Sequence, residues 1–303
     1  MNTEMTTFRE LEAFVAVADM GSFEKAARSL QTSQSNISRQ ISAFESSFDR
    51  LLFNREQRAA RLTMDGQEVL RIARGILRQR ANLTERFGNP DLVSSTLRLG
   101  VTELAALTWL GRFLAELRDR YPRMRIEPEV GSSTSLHTRV RDGQLDIAIV
   151  LDAIRTTEMA RLPIGAAHFG WYCSSGLTTP DELSLTDFER QTVLLQSDVR
   201  TGGSVLASWL LDHGVHANNT IHSDSLVALA GICAAGLGIA GLPRAVAQGP
   251  VRNGALRELQ IPIGAAEMEY IALIRIDAIS DFHRNVAALA HEKCDFQTPF
   301  HGA

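Results

Sequence analysis

The sequence has few cysteines and no paired cysteine motif. Its three cysteines, Cys173, Cys233 and Cys294, are widely spaced along 303 residues. Small secreted domains depend on dense disulfide frameworks, and structural zinc sites need closely spaced cysteines, so neither class fits. Isolated cysteines are typical of proteins in a reducing compartment, and we expect a cytoplasmic protein.

The sequence also lacks a clear membrane segment. Its longest stretch without charged residues, 225–243, contains four glycines and ends in proline, so it predicts a buried core segment. The first twenty residues contain Glu4, Glu10, Glu12 and Asp19 and have no basic start, unlike a secretory signal. We therefore expect neither export nor a membrane partner.

Catalytic and metal-binding motifs are missing as well. There is no GxSxG elbow and no HExxH pair. His213, His216 and His222 lack a cysteine or carboxylate that would complete a metal site, so they predict surface histidines. A GxGxxG match at residues 236–241 follows a helical run and precedes a strand-like run, the reverse of the dinucleotide-binding order. The sequence predicts no enzyme, no metal ion and no cofactor.

Charge is divided unevenly along the chain. Residues 1–90 have a formal net charge of +2 and the remainder has −6. Arg50, Arg55, Arg58 and Arg61 fall within twelve residues. A basic front on an acidic body favours a nucleic-acid-binding module joined to a different domain, and the length fits two or three domains.

Hydrophobic spacing predicts three short helices at the start of the chain. Thr7 and Glu10 have the spacing of a capping box for the first helix. Ser22 and Ser33 are N-cap candidates for the second and third helices. The second and third helices are separated by very few residues, which predicts a helix-turn-helix.

The third predicted helix has two faces of different chemistry. Ile37, Ile41, Phe44 and Phe48 fall on one face. The opposite face and the first turn carry short polar side chains and one arginine: Ser33, Gln34, Ser35, Asn36, Ser38, Arg39 and Ser42. Short hydroxyls allow close approach to the major groove, amides pair with adenine, and arginine pairs with guanine or phosphate. The pattern favours DNA recognition over an ordinary solvated helix.

A basic segment between two apolar segments follows this helix. Leu52-Phe53 and Leu62 flank Arg55, Arg58 and Arg61. Two short strands around this tip would form a wing whose arginines contact phosphates or the minor groove. An exposed arginine loop is the alternative.

A long helix is predicted from about Met64 to Phe87. Its apolar residues approximate a heptad seam that is interrupted at residues 79–80. The seam consists of Val69, Ile72, Ile76, Leu83 and Phe87. Such a helix cannot bury its apolar stripe against itself, so it predicts a dimer, with packing onto the same chain as the alternative.

The pattern changes from residue 97 onward. The strand-like segments LRLGV, RIEPEV and LDIAIV alternate with helices, and a second set, FGWYCS, TVLLQ, NTIHS and GIAGLP, follows before EYIALIRI and a last helix. Alternating strands and helices predict parallel strands with right-handed crossovers. Two such sets predict two lobes with a ligand cleft between them.

Polar residues follow the predicted strands of both lobes. They are Thr102, Glu103, Ser132, Ser133, Thr134, Gln196, Ser197, Thr201, Gly202 and Asp224. Their hydroxyls and backbone N–H groups favour a carboxylate or another small polar anion, whereas an inward Glu103 would select an amine or a hydroxyl. A role as helix caps is the equal alternative.

The order of these parts resembles the LysR-type transcriptional regulators. The matching residues are Phe14, Gly21-Ser22-Phe23, Ala26-Ala27, Leu30, Ser33-Gln34-Ser35, Ser38-Arg39-Gln40-Ile41, Phe44-Glu45, Leu52-Phe53, Arg55, Leu62-Thr63, Gly66, Tyr121-Pro122, and residues 143–149 and 235–243. The family often has Leu-Gly where this chain has Phe48-Asp49. The resemblance covers essentially the whole chain.

The residues and the resemblance together predict an α/β protein overall. We expect a winged helix-turn-helix at 1–63, a dimerising linker helix at 64–89 and an effector-binding domain at 93–303. That domain should resemble type 2 periplasmic binding proteins, with one lobe at about 93–163 and 268–303 and the other at about 164–267.

The resemblance also implies partners. It implies a homodimer or homotetramer on double-stranded promoter DNA, controlled by a small-molecule effector. Thr102, Ser132 or Ser133, and Gln196-Ser197 match the family's usual effector contacts. The alternatives are a metabolic α/β enzyme and a solute-binding protein.

Overall fold

The computed structural model of the chain describes residues 6–54, 60–87, 96–197 and 204–299. In the helix that ends at Phe87 it describes side chains up to residue 80, except that of residue 78. The chain divides into two compact units, Met1–Ser95 and Thr96–Ala303. None of the described helices is both long and apolar enough to cross a membrane.

Three helices form the body of the first unit, at the positions that the sequence predicts. They are α1 (Phe8–Met20), α2 (Phe23–Ser29) and α3 (Gln34–Phe48). The capping box is present: the Thr7 hydroxyl accepts from the Glu10 amide, and the Glu10 carboxylate accepts from the Thr7 amide at 2.8 Å. Ser22 and Ser33 cap α2 and α3. The caps satisfy orphan N–H groups and set where each helix begins.

A two-stranded ribbon and a long helix complete the first unit. Strands β1 (Phe53–Asn54) and β2 (Arg61–Leu62) pair antiparallel. Helix α4 (Met64–Phe87) follows directly, and the Thr63 hydroxyl accepts from the Gly66 amide at 3.0 Å at its start. A Cβ on Gly66 would lie 2.1 Å from the Leu52 carbonyl oxygen, so the close approach of α4 to this segment requires glycine.

The core of the first unit is a cluster of aromatic and aliphatic side chains. The Phe14 ring lies 5.2 Å from that of Phe44 and 5.4 Å from that of Phe53, between centroids. Phe48 lies on the apolar face of α3, but its side chain is 47% exposed, although its ring contacts that of Phe44. Phe48 is the last residue of α3, and the buried position near that end belongs to Glu45 instead.

The end of α3 shows how the chain accommodates its departure from the family pattern. Asp49 adopts a left-handed conformation with φ +52 and ends the helix. Aspartate tolerates this conformation better than most residues because its short polar side chain bonds locally. The helix therefore ends where glycine would have ended it.

A single nine-stranded sheet organises the second unit. Its strands are β3 (Thr96–Val101), β4 (Arg125–Val130), β5 (Ile147–Leu151), β6 (Met159–Ser174), β7 (Thr192–Gln196), β8 (Asn219–Ser223), β9 (Ile239–Pro243), β10 (Leu256–Leu259) and β11 (Ala266–Arg275). Neighbouring strands follow the order β4-β3-β5-β11-β6-β9-β7-β8, and β10 pairs with β6.

The described part of the second unit contains eight helices. They are α5 (Glu103–Thr108), α6 (Leu110–Arg120), α7 (Ser133–Arg141), α8 (Leu185–Glu189), α9 (Val205–Asp212), α10 (Leu226–Ala234), α11 (Arg244–Arg252) and α12 (Asp281–Lys293). We call β3–β5 with α5–α7 the first lobe, and β7–β10 with α8–α11 the second lobe.

Each lobe has the predicted parallel strands. Strand β3 is parallel to β4 and β5, and β7 is parallel to β8 and β9. The long strands β6 and β11 pair antiparallel from Ala266↔Phe169 to Arg275↔Met159 and connect the two groups. One hydrophobic core continues through both lobes, from Leu99 and Ile149 to Leu194 and Ala240.

Several elements differ from the sequence prediction. The alternating pattern predicts one helix between β3 and β4, but this segment forms two helices, α5 and α6, separated at Trp109, whose side chain is fully buried. Helices α8 and α11 and strand β10 were not predicted, and FGWYCS is the end of a strand of 16 residues. The glycine-rich segment joins helix α10 to strand β9, with Gly236 at φ +81, as the sequence predicts.

A buried carboxylate connects α3 to the strand ribbon. The Glu45 side chain accepts from the Leu52 amide at 2.7 Å and from the Phe53 amide at 3.2 Å, and Glu45 is only 6% exposed. These two N–H groups belong to the first residue of β1 and to the residue just before it, so Glu45 fixes where the ribbon leaves the helical body. Removing the acceptor would leave both donors buried without a partner.

We expect Glu45→Ala to destabilise the first unit by about 2–4 kcal/mol, because each buried unsatisfied donor costs about 1–3 kcal/mol. Glu45→Gln keeps one acceptor oxygen and should therefore destabilise the unit less than Glu45→Ala does. Urea unfolding followed by circular dichroism measures both.

Glu24→Ala is the matched control for this carboxylate. Glu24 is exposed on α2 and pairs with Arg28, so its loss should change the free energy of unfolding by less than about 0.5 kcal/mol. A Glu45→Ala protein as stable as the Glu24→Ala protein would contradict the proposed role of Glu45.

Candidate functional site

The polar face of α3 is open to solvent. Gln34, Ser35, Arg39 and Ser42 are exposed, as is the N-cap Ser33, whereas Asn36 and Ser38 are half-buried. The opposite residues Ile37, Ile41 and Phe44 are buried in the core. The helix is therefore fixed by its apolar face and presents the predicted polar face outward.

A chain of hydrogen bonds holds the arginine of this face. The Asn36 amide nitrogen donates to the Thr32 hydroxyl at 2.9 Å, and the Asn36 oxygen accepts from the Arg39 guanidinium at 2.9 Å. Ser33 accepts from the Asn36 backbone amide at 3.2 Å, and its hydroxyl lies 3.0 Å from that of Ser35. Asn36 and Ser33 thus have structural roles on the face, and Arg39 is oriented in advance.

The ribbon places one arginine beside this helix-turn-helix. Arg61 is exposed on β2, opposite Asn54. Arg55 and Arg58, which the sequence also assigns to a DNA-contacting wing, lie outside the described residues. The described part of the ribbon therefore provides the strands of a wing and one of its three candidate arginines.

Helix α4 has an inner and an outer apolar face. Leu70 and Ala73 are buried against the first unit. Ile72 and Ile76 are 47% and 42% exposed and belong to the predicted seam. Val69 is half-buried, and the seam side chains Leu83 and Phe87 lie outside the described residues. The exposed isoleucines leave an apolar surface that the first unit does not cover.

A cleft of about 690 Å³ lies at the strand ends of the second unit. Both lobes line it, and it includes eight of the residues that the sequence predicts: Thr102, Glu103, Ser132, Ser133, Thr134, Gln196, Ser197 and Asp224. Thr201 and Gly202 lie outside the described residues. The volume suits a small molecule.

Thr102 is a buried hydroxyl on the first-lobe wall. It is 7% exposed, precedes α5 without capping it, and its oxygen makes no hydrogen bond of good geometry among the described residues. Burial raises the pKa of the neighbouring Tyr270 phenol, and the Thr102 hydroxyl partly opposes that shift. The Tyr270 phenol therefore stays neutral near pH 7, and both hydroxyl groups can donate hydrogen bonds.

The start of α7 forms the adjacent part of this wall. Ser132 caps the helix by accepting from the Ser135 amide at 3.2 Å. The Ser133 hydroxyl accepts from the Leu151 amide at 3.1 Å and joins α7 to the end of β5. The first backbone N–H groups of a helix have no intrahelical acceptor, so this end of the cleft favours an anion.

The second-lobe wall is connected to Glu103. Gln196 donates from its amide nitrogen to the Glu103 carboxylate at 3.2 Å and to the Asp224 carbonyl at 3.0 Å. Glu103 also accepts from the Ser225 hydroxyl at 3.0 Å and from the Leu226 amide at 2.6 Å. Glu103 follows β3 in the first lobe, so these bonds cross the cleft.

The charge of the cleft is acidic. Glu103 and Asp224 are the charged side chains among the described lining residues. Because neither a lysine nor an arginine is present among them, an anionic ligand would have to rely on hydroxyl and backbone N–H donors.

Sequence reasoning missed the apolar and aromatic part of the lining. This part includes Val130, Phe169, Leu206, Met268 and Tyr270. Phe169, Met268 and Tyr270 lie on β6 and β11, the long strands that connect the lobes. Their place depends on strand order, which local patterns do not reveal. Ser225, also missed, could have been found from its position as the N-cap of α10.

The described residues contain no group of three or more histidines, cysteines or carboxylates that could hold a metal ion. The His213 ring instead stacks on Trp209 with centroids 4.1 Å apart. Burial raises the pKa of the Cys173 thiol and raises that of Cys233 to about 12, so neither thiol is ionised near neutral pH.

Two family models match the chain. Residues 8–67 match the bacterial regulatory helix-turn-helix proteins of the lysR family, and residues 90–295 match the LysR substrate binding domain. The HTH-type transcriptional regulator YofA of Bacillus velezensis is 28% identical over 237 residues, covering 77% of this chain and 80% of YofA.

Solved structures share the fold. A full-length OxyR variant from Pseudomonas aeruginosa superposes with a TM-score of 0.78 at 19% identity and covers 99% of both chains. Full-length LysG from Corynebacterium glutamicum, with bound effector Arg, superposes with a TM-score of 0.63 at 17% identity and covers 95% of this chain and 97% of LysG.

The LysR substrate binding domain model alone spans more than half of the chain, and the lysR-family helix-turn-helix model covers α1 to α3 and the ribbon. An exposed polar helix and a ligand-sized cleft are the two parts that an effector-controlled DNA-binding protein needs. Homologues of this kind are transcriptional regulators and not enzymes. The chain belongs to the LysR-type transcriptional regulators, with a DNA-binding helix-turn-helix and an effector-binding domain.

Proposed function

We propose that this regulator binds a promoter operator through the polar face of α3 and responds to a small polar molecule in the cleft. The exposed Arg39, held by Asn36 on a helix that its apolar face fixes in place, is the observation that carries the DNA contact. Because the target is chromosomal DNA, we place the protein in the cytoplasm.

The functional division that we propose follows the chain order. Residues 1–63 bind DNA, residues 64–89 form a linker helix that dimerises, and residues 93–303 bind the effector. The outward Ile72 and Ile76 support the linker role, because apolar residues one helical turn apart on an exposed face are typical of a helix–helix interface. The assembly is a homodimer, or a homotetramer made from two such pairs.

The DNA contacts fall into two groups. Gln34, Ser35, Arg39 and Ser42 are exposed and reach base edges or phosphates in the major groove. Ser33 supports them by capping α3, Asn36 supports them by orienting Arg39, and the half-buried Ser38 flanks the same face. Arg61, with Arg55 and Arg58, supplies phosphate or minor-groove contacts from the wing.

The effector that fits the cleft best combines a carboxylate with a cationic or hydrogen-bond-donating group. The start of α7 and the Thr102 hydroxyl offer donors to the carboxylate. Two like unit charges about 6 Å apart repel by about 3 kcal/mol at an effective dielectric constant of about 20, so Glu103 disfavours a simple anion. An amino acid satisfies both requirements, and arginine is the effector bound in LysG, a protein of the same fold.

We expect Arg39→Ala to weaken specific operator binding by about 1–3 kcal/mol, about 5- to 150-fold, because an arginine pair with a base or phosphate is lost. Mobility-shift titration of the full-length protein measures the change. Asn36→Ala should weaken operator binding less than Arg39→Ala does. In the Arg39→Ala background it should weaken binding little further, because the two residues act together.

Arg118→Ala controls for the loss of one positive charge, since Arg118 is exposed on α6 of the second unit. Equal losses for Arg39→Ala and Arg118→Ala would refute the role of Arg39 in recognition. Repeating the titration at several salt concentrations separates phosphate from base contacts, because a lost phosphate contact lowers the salt slope by about one.

We expect Thr102→Val to lower effector affinity about tenfold while leaving effector-free operator binding unchanged, because a buried hydrogen bond to a charged ligand group is lost. A thermal-shift screen of amino acids, small carboxylates and aromatics identifies the ligand, and calorimetry then measures its affinity. Thr220→Val, exposed on β8, is the control. Equal affinity of the Thr102→Val and wild-type proteins would exclude Thr102 as a contact.

A further inference from the structure

One carboxylate joins the two walls of the cleft. Glu103 begins α5 in the first lobe, and its three hydrogen-bond donors, Gln196, Ser225 and Leu226, belong to the second lobe. One carboxylate oxygen accepts from the Leu226 amide and the Gln196 side chain, and the other accepts from the Ser225 hydroxyl. A single side chain therefore spans the space that the effector would enter.

The second-lobe end of this contact is suited to negative charge. Leu226 is the first residue of α10, a helix of nine residues, and its backbone N–H has no intrahelical acceptor. The partial positive charge of a helix N-terminus stabilises a nearby carboxylate. Hydrogen bonds to an ionised acceptor are also shorter and stronger than neutral ones, in agreement with the 2.6 Å distance to Leu226.

The other acidic side chain of the cleft does not have this role. Asp224 is exposed, and its carboxylate makes no hydrogen bond among the described residues. Its backbone carbonyl accepts from Gln196, but that contact stays within the second lobe. Glu103 and Asp224 thus have equal charge and share the cleft, yet only Glu103 crosses it.

We propose that Glu103 is a positioning residue that acts as a latch between the two lobes. Its carboxylate holds the start of α10 and the end of β7 at a fixed distance from α5. An effector whose ammonium or guanidinium group draws the carboxylate away releases the second lobe. The released lobe then alters the complex with DNA. This part of the proposal rests on the effector cleft proposed above.

The latch is tested on the full-length, ligand-free protein by hydrogen–deuterium exchange that resolves the Leu226 amide. Glu103→Ala should speed exchange at Leu226 about tenfold or more, because its charged acceptor is lost. Glu103→Gln keeps the size of the side chain and one acceptor oxygen, so it should give a smaller increase. The amides of β11 should exchange as in the wild type.

Asp224→Asn is the matched control, since it removes one charge from the same cleft, and it should leave Leu226 exchange unchanged. Unchanged exchange in Glu103→Ala, or an equal increase in Asp224→Asn, would overturn the latch. If Glu103→Ala also speeds exchange in β11, the substitution has loosened the whole domain. The comparison is then made with Glu103→Gln: unchanged exchange at Leu226, or an increase equal to that in Asp224→Asn, would overturn the latch.

DNase footprinting without effector tests whether the Glu103 latch affects the complex with DNA. Glu103→Gln should alter the footprint on the operator, whereas Asp212→Asn, which removes one exposed charge at the end of α9 outside the cleft, should not. If Glu103→Gln gives the wild-type footprint although its Leu226 amide exchanges faster, the link between the latch and DNA binding is overturned. If even the wild-type protein gives no specific footprint, the proposed operator binding fails while the exchange result still decides the latch.

Discussion

The antiparallel pairing of β6 with β11 is the constraint on which the effector domain depends. These strands run from one lobe into the other, and their backbone hydrogen bonds continue from Ala266↔Phe169 to Arg275↔Met159. The parallel strands of both lobes are thereby brought into one sheet, and the loops that follow them meet at the cleft. Phe169 and Tyr270, which lie on the two long strands, become its apolar floor. Strand order thus decides which polar loops can reach one ligand.

The DNA-binding unit solves a different physical problem, since its functional helix must stay exposed. The buried residues of α3 supply its stability, so the outer face is free to carry residues with poor helix propensity. Those residues are partly used to organise each other: Ser33 caps the helix, and Asn36 joins Thr32 to Arg39. An arginine oriented in this way loses less side-chain entropy on binding than a free one. The polar face that we propose as the contact surface therefore also helps to support itself.

Local signals predicted most of the elements, because caps and hydrophobic periodicity act over a few residues. The caps at Thr7, Ser22 and Ser33 lie where the sequence places them, and the short parallel strands do too. What local patterns could not predict depends on tertiary context. Phe48 follows the helical period of the core, yet it is exposed at the helix end, whereas the charged Glu45 is buried because it binds two backbone amides of the ribbon.

In the candidate cleft, too, local patterns predict some residues and tertiary context decides the others. Thr102 and Gln196 could be predicted from their positions after strands, whereas the crossing of the cleft by Glu103 could not, because its partners are distant in the sequence.

If α3 reads a specific DNA sequence in a symmetric assembly, selection from random-sequence DNA with the purified full-length protein will reveal that sequence. We expect enrichment of one motif with dyad symmetry, since two copies joined through α4 would present two α3 helices to half-sites about 10 base pairs apart or a multiple of that spacing. Recovery of DNA without a shared motif would show that α3 does not read a specific sequence.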